Sequence, residues 1–171
     1  MFCMKDLPTR EDFAPLEVYA SLEPSSMLLF YQFLRSGSDL LTIFDDFLIS
    51  HGISQGRFVV LLILRRKEEG FAPSDLAESA GVTRATMTGL VDGLERDGFV
   101  KRYDLHEDKR RTNVRITEKG EELLKTIFPD YFSSIADLMS DMTDEEKRII
   151  SKFLLKLDIG ISNSKGAKSV A

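Results

Sequence analysis

The sequence predicts a mainly α-helical protein with one small β-hairpin, an α+β arrangement. Three observations lead there. Most of the chain repeats apolar residues at helical spacing, whereas residues 99–116 alone alternate in the manner of strands. Gly and hydroxyl residues punctuate the helical stretches where caps belong. The 171 residues are 43% hydrophobic and 30% charged, which suits one domain, or one domain with a second helical element.

Residues 1–24 hold Pro8, Pro15 and Pro24 without a long period, so they read as an extended arm with one short helix. From Ser25 or Ser26 to Ser50 the pattern is helical. Phe30, Leu34, Leu41, Phe44 and Leu48 mark one stripe, and Phe33, Leu40 and Phe47 a second. A helix apolar on two sides has two things to pack against, here its own domain and a partner subunit. Gly37 interrupts it at a modest cost in propensity. His51-Gly52 ends this helix, and Ser54 caps a second, expected to run to Glu69 before Gly70. Pro73-Ser74 opens a short helix ending at Ala80.

Gly81-Val82 then makes a tight turn, and Thr83 caps a helix to about Asp97, closed by Gly98. Phe99–Tyr103 and Arg111–Ile116 read as two strands around a long polar loop. Thr117 caps the next helix, which Pro129 is expected to interrupt with a kink. Thr143-Asp144-Glu145-Glu146 is a capping box for a last helix, with Ile149, Ile150, Phe153, Leu154 and Leu157 on one face. The polar residues from Gly160 onward read as a disordered tail. The resulting plan is an arm over 1–24, helical regions over 25–50 and 117–160 that flank a central domain over 51–116, and a flexible tail over 161–171.

The chain carries 23 Lys+Arg against 28 Asp+Glu, a net −5, with a pI near 5.2. Bulk charge therefore gives no argument for nucleic acid. Residues 99–115 depart from it, with six cations against three acids, a net +3 that leaves −8 for the remainder. The longest apolar run, Phe58 to Leu64, is far below the roughly 20 residues of a membrane helix. MFCMKDLPTREDF lacks an apolar stretch after its charges, so no secretory signal and a cytoplasmic location are expected. Cys3 is the single cysteine, which excludes an intrachain disulfide. His51 and His106 lack ligand spacing, and no nucleophile–base pair or glycine-rich phosphate loop occurs. No enzyme, metal or cofactor is expected.

Residues 74–100 carry the functional signal. Leu76 and Ala77 face inward, Gly81 supplies the turn, and Val82 is expected to plug the angle between two helices. This is helix-turn-helix spacing. In the second helix Met87, Leu90, Val91 and Leu94 make the core face, and Arg84, Ala85, Thr88 and Asp92 the opposite one. Small residues and hydroxyls beside an arginine suit a major groove, where Arg bonds guanine and Ala or Thr touches a thymine methyl. Thr83 and Thr86 stand at the positive end of this helix, suited to a phosphate oxygen. A basic hairpin follows directly, and the combination is a winged helix.

Residues 52–124 resemble the MarR family of bacterial transcription regulators. The resemblance rests on ISQGRFVVLLIL, LAESAGVTRATMTGLVDGLERDGFVKR, the DKRR wing and the ITEKG after it. It implies a homodimer, built by the flanking helices as a dimerisation domain, on a pseudo-palindromic operator in double-stranded DNA. Such a protein is often a repressor released by a small ligand or an oxidant. It also implies that Arg110 of the wing reaches into the minor groove and that Asp108 steadies it. A carboxylate paired to a guanidinium restricts its rotamers, so less entropy is lost on binding. Lys101, Arg102, Arg111 and Arg115 are assigned to phosphate contacts or to a solvated wing face. Gly89 and Gly93 sit where family members often carry longer polar side chains, leaving base readout chiefly to Arg84.

The family's effector pocket would fall among Tyr31, Phe44, Phe47, His51 and Phe58, receiving a small aromatic or amphipathic molecule. Core or dimer interface is the alternative for these five. Cys3 lies in the arm with only Lys5 as a basic neighbour, a poor setting for a thiol oxidant sensor. A winged helix that binds proteins and never DNA is the remaining alternative, separated by the salt dependence of DNA binding.

Overall fold

Apolar helix faces and one hydrogen-bonded hairpin build the protein in a computed structural model. It describes residues 7–13, 15, 23–105 and 108–168, with side chains over 7–13, 15, 23–103 and 112–164. The chain divides into two units, Met1–Leu124 and Lys125–Ala171. Cys3 lies outside the described residues.

In the first unit a short α1 (Arg10–Phe13) buries Phe13 against Tyr31 of α2 (Pro24–Ser50), with ring centroids 6.1 Å apart. Glu23 caps α2, its carboxylate accepting the Ser26 N–H at 2.7 Å, and Pro24 takes a first-turn position that needs no donor. The helix passes through Gly37 unbroken. Its Leu48 is buried, while Leu29, Phe30, Leu41, Ile43 and Ile49 remain exposed.

Helix α3 (Gln55–Leu64) supplies Phe58, Val60, Leu61, Ile63 and Leu64 to the core. It stops at Leu64, five residues short of the expected Glu69. The run Arg65-Arg66-Lys67-Glu68-Glu69 has no apolar residue to hold it on the core. The chain also has to turn back there, because Phe71 bridges Val114 through two backbone hydrogen bonds of 2.9 and 2.8 Å. Gly70 makes that turn at φ +67°, where the Val114 carbonyl leaves no room for a Cβ.

Helix α4 (Pro73–Ala80) buries Leu76 and Ala77, and Gly81 ends it in the left-handed region at φ +66°. Helix α5 (Arg84–Arg96) follows, with Met87, Val91 and Leu94 fully buried. Leu90 is only half-buried, against Gly56 of α3. Val82 does not plug the turn: it is 37% exposed. The wedge is made by Leu76, Ala77 and Met87, and Val82 serves through its backbone, whose N–H donates to Ala77 O at 3.0 Å.

Strands β1 (Val100–Leu105) and β2 (Asp108–Ile116) form an antiparallel hairpin. The long polar loop expected there is absent, and only residues 106–107 separate the strands. Backbone pairing does not depend on side-chain polarity, so the ladder continues through the charged segment. An irregularity at Asp104/Leu105 shifts the register near the tip.

Helix α6 (Glu118–Leu138) starts in the first unit and ends in the second. Thr117 caps it, its Oγ1 accepting the Gly120 N–H at 3.2 Å. The helix continues through Pro129, contrary to the expected interruption: a proline removes one donor, and the surrounding ladder tolerates the loss. In the second unit Phe128 and Phe132 stack at 5.4 Å. Helix α7 (Asp144–Lys168) opens on the expected capping box, with the Thr143 N–H and Oγ1–H donating to Glu146 Oε2 at 2.8 and 2.7 Å. Its backbone stays helical to Lys168, so the expected disordered tail is a continuation of this helix. Lys, Asn and Ser cost a helix little, and Ser164 Oγ bonds back to the Gly160 carbonyl. Ile149, Leu155 and Ile159 are exposed along it. Among the described residues no single helix is long and apolar enough to cross a membrane.

Candidate nucleic-acid interface

The Thr83 cap fixes the start of α5. Its Oγ1 accepts the Thr86 N–H at 3.1 Å and lies 2.9 Å from the Thr86 hydroxyl. Burial of Met87, Val91 and Leu94 turns the other side of the helix outward, and Thr83, Arg84, Ala85, Thr86 and Thr88 are all exposed. The Thr88 hydroxyl donates to the Arg84 carbonyl at 2.9 Å, which leaves its oxygen available as an acceptor. The Arg84 guanidinium has no partner among the described residues.

The two glycines of α5 differ. A Cβ at Gly89 would meet open space, whereas one at Gly93 would lie 2.2 Å from Nη2 of Arg57. Gly93 therefore does not stand on the outward face with a missing contact. It is buried beneath a guanidinium that reaches over from α3 and pairs with Asp97 at 2.8 Å.

Pairing in the hairpin sorts its cations onto two faces. Val100 opposes Ile116, and Arg102 opposes Val114; with Val100 and Val114 buried, this face looks inward. Lys101 opposes Arg115 and Tyr103 opposes Asn113 on the outer face, where Lys101 and Arg115 are exposed. Arg115 lies 5.0 Å from the Tyr103 ring. Tyr103 and Asn113 both donate to the Glu69 carbonyl, Asn113 Nδ2 at 3.2 Å, and so tie the hairpin to the turn after α3.

Arg102 points the other way, onto α5. Its Nη2 donates to Asp92 Oδ1 at 2.5 Å, its Nη1 donates to Glu95 Oε2, and its backbone N–H donates to Glu95 Oε1 at 3.0 Å. The Asp92 hydrogen bond raises the guanidinium pKa above its ordinary value. Asp108, Arg110 and Arg111 belong to β2, but their side chains lie outside the described residues. The sequence did not single out Glu95, Asn113 or Arg57; only the spacing of Asp92 and Glu95, one helical turn apart, hinted at a shared partner.

The five residues of the expected effector pocket are not gathered into one place. Phe58 is a core residue, 3% exposed, and Tyr31 stacks on Phe13. Phe47 packs on His51 at 4.5 Å, and the His51 Nδ1 sits 2.9 Å from the Phe47 carbonyl. Sixteen residues of helix place Tyr31 and Phe47 about 24 Å apart. Phe44 alone borders an apolar groove of about 460 Å³ along α2, with Phe33, Leu34, Leu40 and Leu41.

Comparison with known proteins points one way. A family profile described as the MarR family matches residues 53–112. The HTH-type transcriptional repressor YetL of Bacillus subtilis (strain 168) is 36% identical over 139 residues, spanning 81% of this chain and 83% of that protein. The transcriptional repressor MprA of Escherichia coli (strain K12) is 31% identical over 126 residues, spanning 71% and 72%. Among solved structures, Sco3205 of Streptomyces coelicolor, a MarR family transcriptional regulator determined in complex with DNA, superposes with a TM-score of 0.75. It covers 82% of this chain and 90% of its own at 22% identity, which is a likeness of fold.

Proposed function

The chain belongs to the MarR family of transcription regulators, which are not enzymes, and from that premise we propose that it is a sequence-specific repressor working as a homodimer on a pseudo-palindromic operator. The outward first turns of α5 carry this reading. A capped helix N-terminus there offers Arg84, Ala85 and Thr88, free of the core, beside a hairpin with a net positive charge. Arg84 reads a base edge in the major groove, and Ala85 and Thr88 line its approach. Thr83 and Thr86 at the helix start, and Lys101, Arg111 and Arg115 on the wing, meet phosphates. Arg110, steadied by Asp108, enters the minor groove.

Residues 51–116 form the DNA-binding domain in this proposal, and 25–50 with 117–160 the dimerisation region. The exposed apolar side chains of α2 and, separately, of α7 support it, since isolated monomers seldom leave such faces uncovered. Two-fold symmetry then sets the recognition helices about one DNA turn, roughly 10 bp, apart. The apolar groove along α2 is the place we assign to a small aromatic or amphipathic effector that releases the DNA.

The deciding experiment is selection of a duplex from a random-sequence pool, followed by its affinity as a function of salt. A slope of log affinity against log salt that grows with the number of phosphates neutralised is expected. A flat slope, or no selected sequence, would leave a protein-interaction module instead. On the selected duplex, Arg84→Ala is expected to erase about 1–3 kcal/mol of discrimination at one base pair and leave the others intact. Binding to single-base variants of the duplex reads this directly, and uniform weakening across all variants would assign Arg84 to the backbone.

A further inference from the structure

The wing cation Arg102 faces the recognition helix, and this position gives it a different task from its neighbours. Two carboxylates of α5, Asp92 and Glu95, converge on its guanidinium, and Glu95 also accepts its backbone N–H. The three bonds fix β1 along the last two turns of α5. On the other face of the hairpin, Tyr103 and Asn113 hold the Glu69 carbonyl. The hairpin root is thus bound on both sides, and the direction in which β1 and β2 leave α5 is set at Arg102.

We propose that Arg102 is a positioning residue that sets the wing against the recognition helix, and that Asp92 and Glu95 are required for DNA binding through it, despite their charge. This rests on the DNA-binding reading above and refines it, because it removes Arg102 from the phosphate contacts and adds two acids to the machinery. The arrangement also explains how acids are tolerated on this face: Asp92 is exposed on α5, and its ion pair with Arg102 offsets a charge that would repel phosphates.

The carboxylates make the test decisive, because two accounts predict opposite signs. By charge alone, the Asp92→Asn/Glu95→Gln double variant removes two anions near DNA and should bind tighter. If the clamp positions the wing, the same variant binds the duplex selected by the wild-type protein about tenfold more weakly, as loss of a charge-assisted network predicts. Its affinity for an unrelated duplex of equal length stays near wild type, which a general loss of folded protein would not allow. Arg102→Ala behaves likewise, whereas an arginine that met phosphate would be freed by loss of the two acids and the double variant would bind more tightly. Arg102→Lys, which keeps the charge and reaches one carboxylate, restores part of the affinity.

A second readout needs no DNA. The Arg102 amide, held by Glu95, is expected to exchange its hydrogen faster in Glu95→Ala, which removes the acceptor oxygen, than in the wild-type protein, while the Leu61 and Leu64 amides of α3 keep their protection. Tighter binding by the double variant, or unchanged exchange at the Arg102 amide in Glu95→Ala, would overturn the clamp. Failure of the wild-type protein to select any duplex would instead overturn the DNA-binding reading, with the exchange experiment still deciding whether the carboxylates hold the wing.

Discussion

Gly70→Ala is expected to destabilise the protein by about 2–5 kcal/mol, the sum of a left-handed backbone penalty and an overpacked contact. Gly70 sits at φ +67°, and a Cβ built on it would lie 2.1 Å from the Val114 carbonyl oxygen and 3.1 Å from the Arg115 Cβ. The oxygen is backbone and accepts the Phe71 N–H at 2.9 Å, so it cannot swing aside as a side chain would. Relief requires the turn to open, which breaks the Phe71–Val114 bridge and frees the hairpin root. The midpoint of urea unfolding reads the loss, with an unchanged slope marking a two-state change. Gly89→Ala is the control: its Cβ meets nothing within 4 Å in mid-helix, and a gain of up to about 1 kcal/mol is expected. Equal midpoints for Gly70→Ala and the wild-type protein would show that the turn is not held as described.

The largest functional effect is expected at Arg110. Arg110→Ala should weaken binding to the selected duplex by about ten- to a hundredfold, the 1–3 kcal/mol typical of a specific arginine contact. A narrow A·T-rich minor groove concentrates negative potential, and a guanidinium suits it better than the compact, strongly hydrated ammonium of lysine. Arg110→Lys should therefore recover only part of the loss. Asp108→Ala acts in the same direction and less strongly, since it removes a restraint and no DNA contact. The oligomeric state and unfolding midpoint should be those of the wild-type protein in all three. Affinity unchanged in Arg110→Ala would remove the wing tip from the interface.

Helices and caps were largely legible because their causes are local. Thr83, Gly81, Gly98 and the Thr143–Glu146 box act within a few residues of chain, and the structure has each where the pattern puts it. The failures share a cause that is not local. Arg65–Glu69 are good helix formers, and only the need of Phe71 to reach Val114, over forty positions on in sequence, ends α3 early. Val82 looked like a core residue because it is apolar, but Leu76 and Ala77 of α4 and Met87 of α5 are the side chains buried about the turn. Pro129 and Gly160 signalled breaks by propensity, which the rest of each helix overrides.

In the site, the outward face of α5 followed from its apolar period. The roles of the wing cations could not follow from composition, because alternation along β1 decides them: Lys101 and Arg102 are adjacent in sequence and face opposite ways. Gly93 shows the same limit. Its meaning lies in Arg57, on another helix.

That contact has a consequence for how this protein can vary. The Arg57 guanidinium occupies the volume that any side chain at position 93 would need, and Asp97 holds it there at 2.8 Å. Positions 57, 93 and 97 are therefore coupled: the absence of a side chain at one makes room for the ion pair of the other two. A side chain at 93 requires the Arg57 guanidinium to swing aside, and the cost of admitting it is set by the ion pair with Asp97 that the swing gives up.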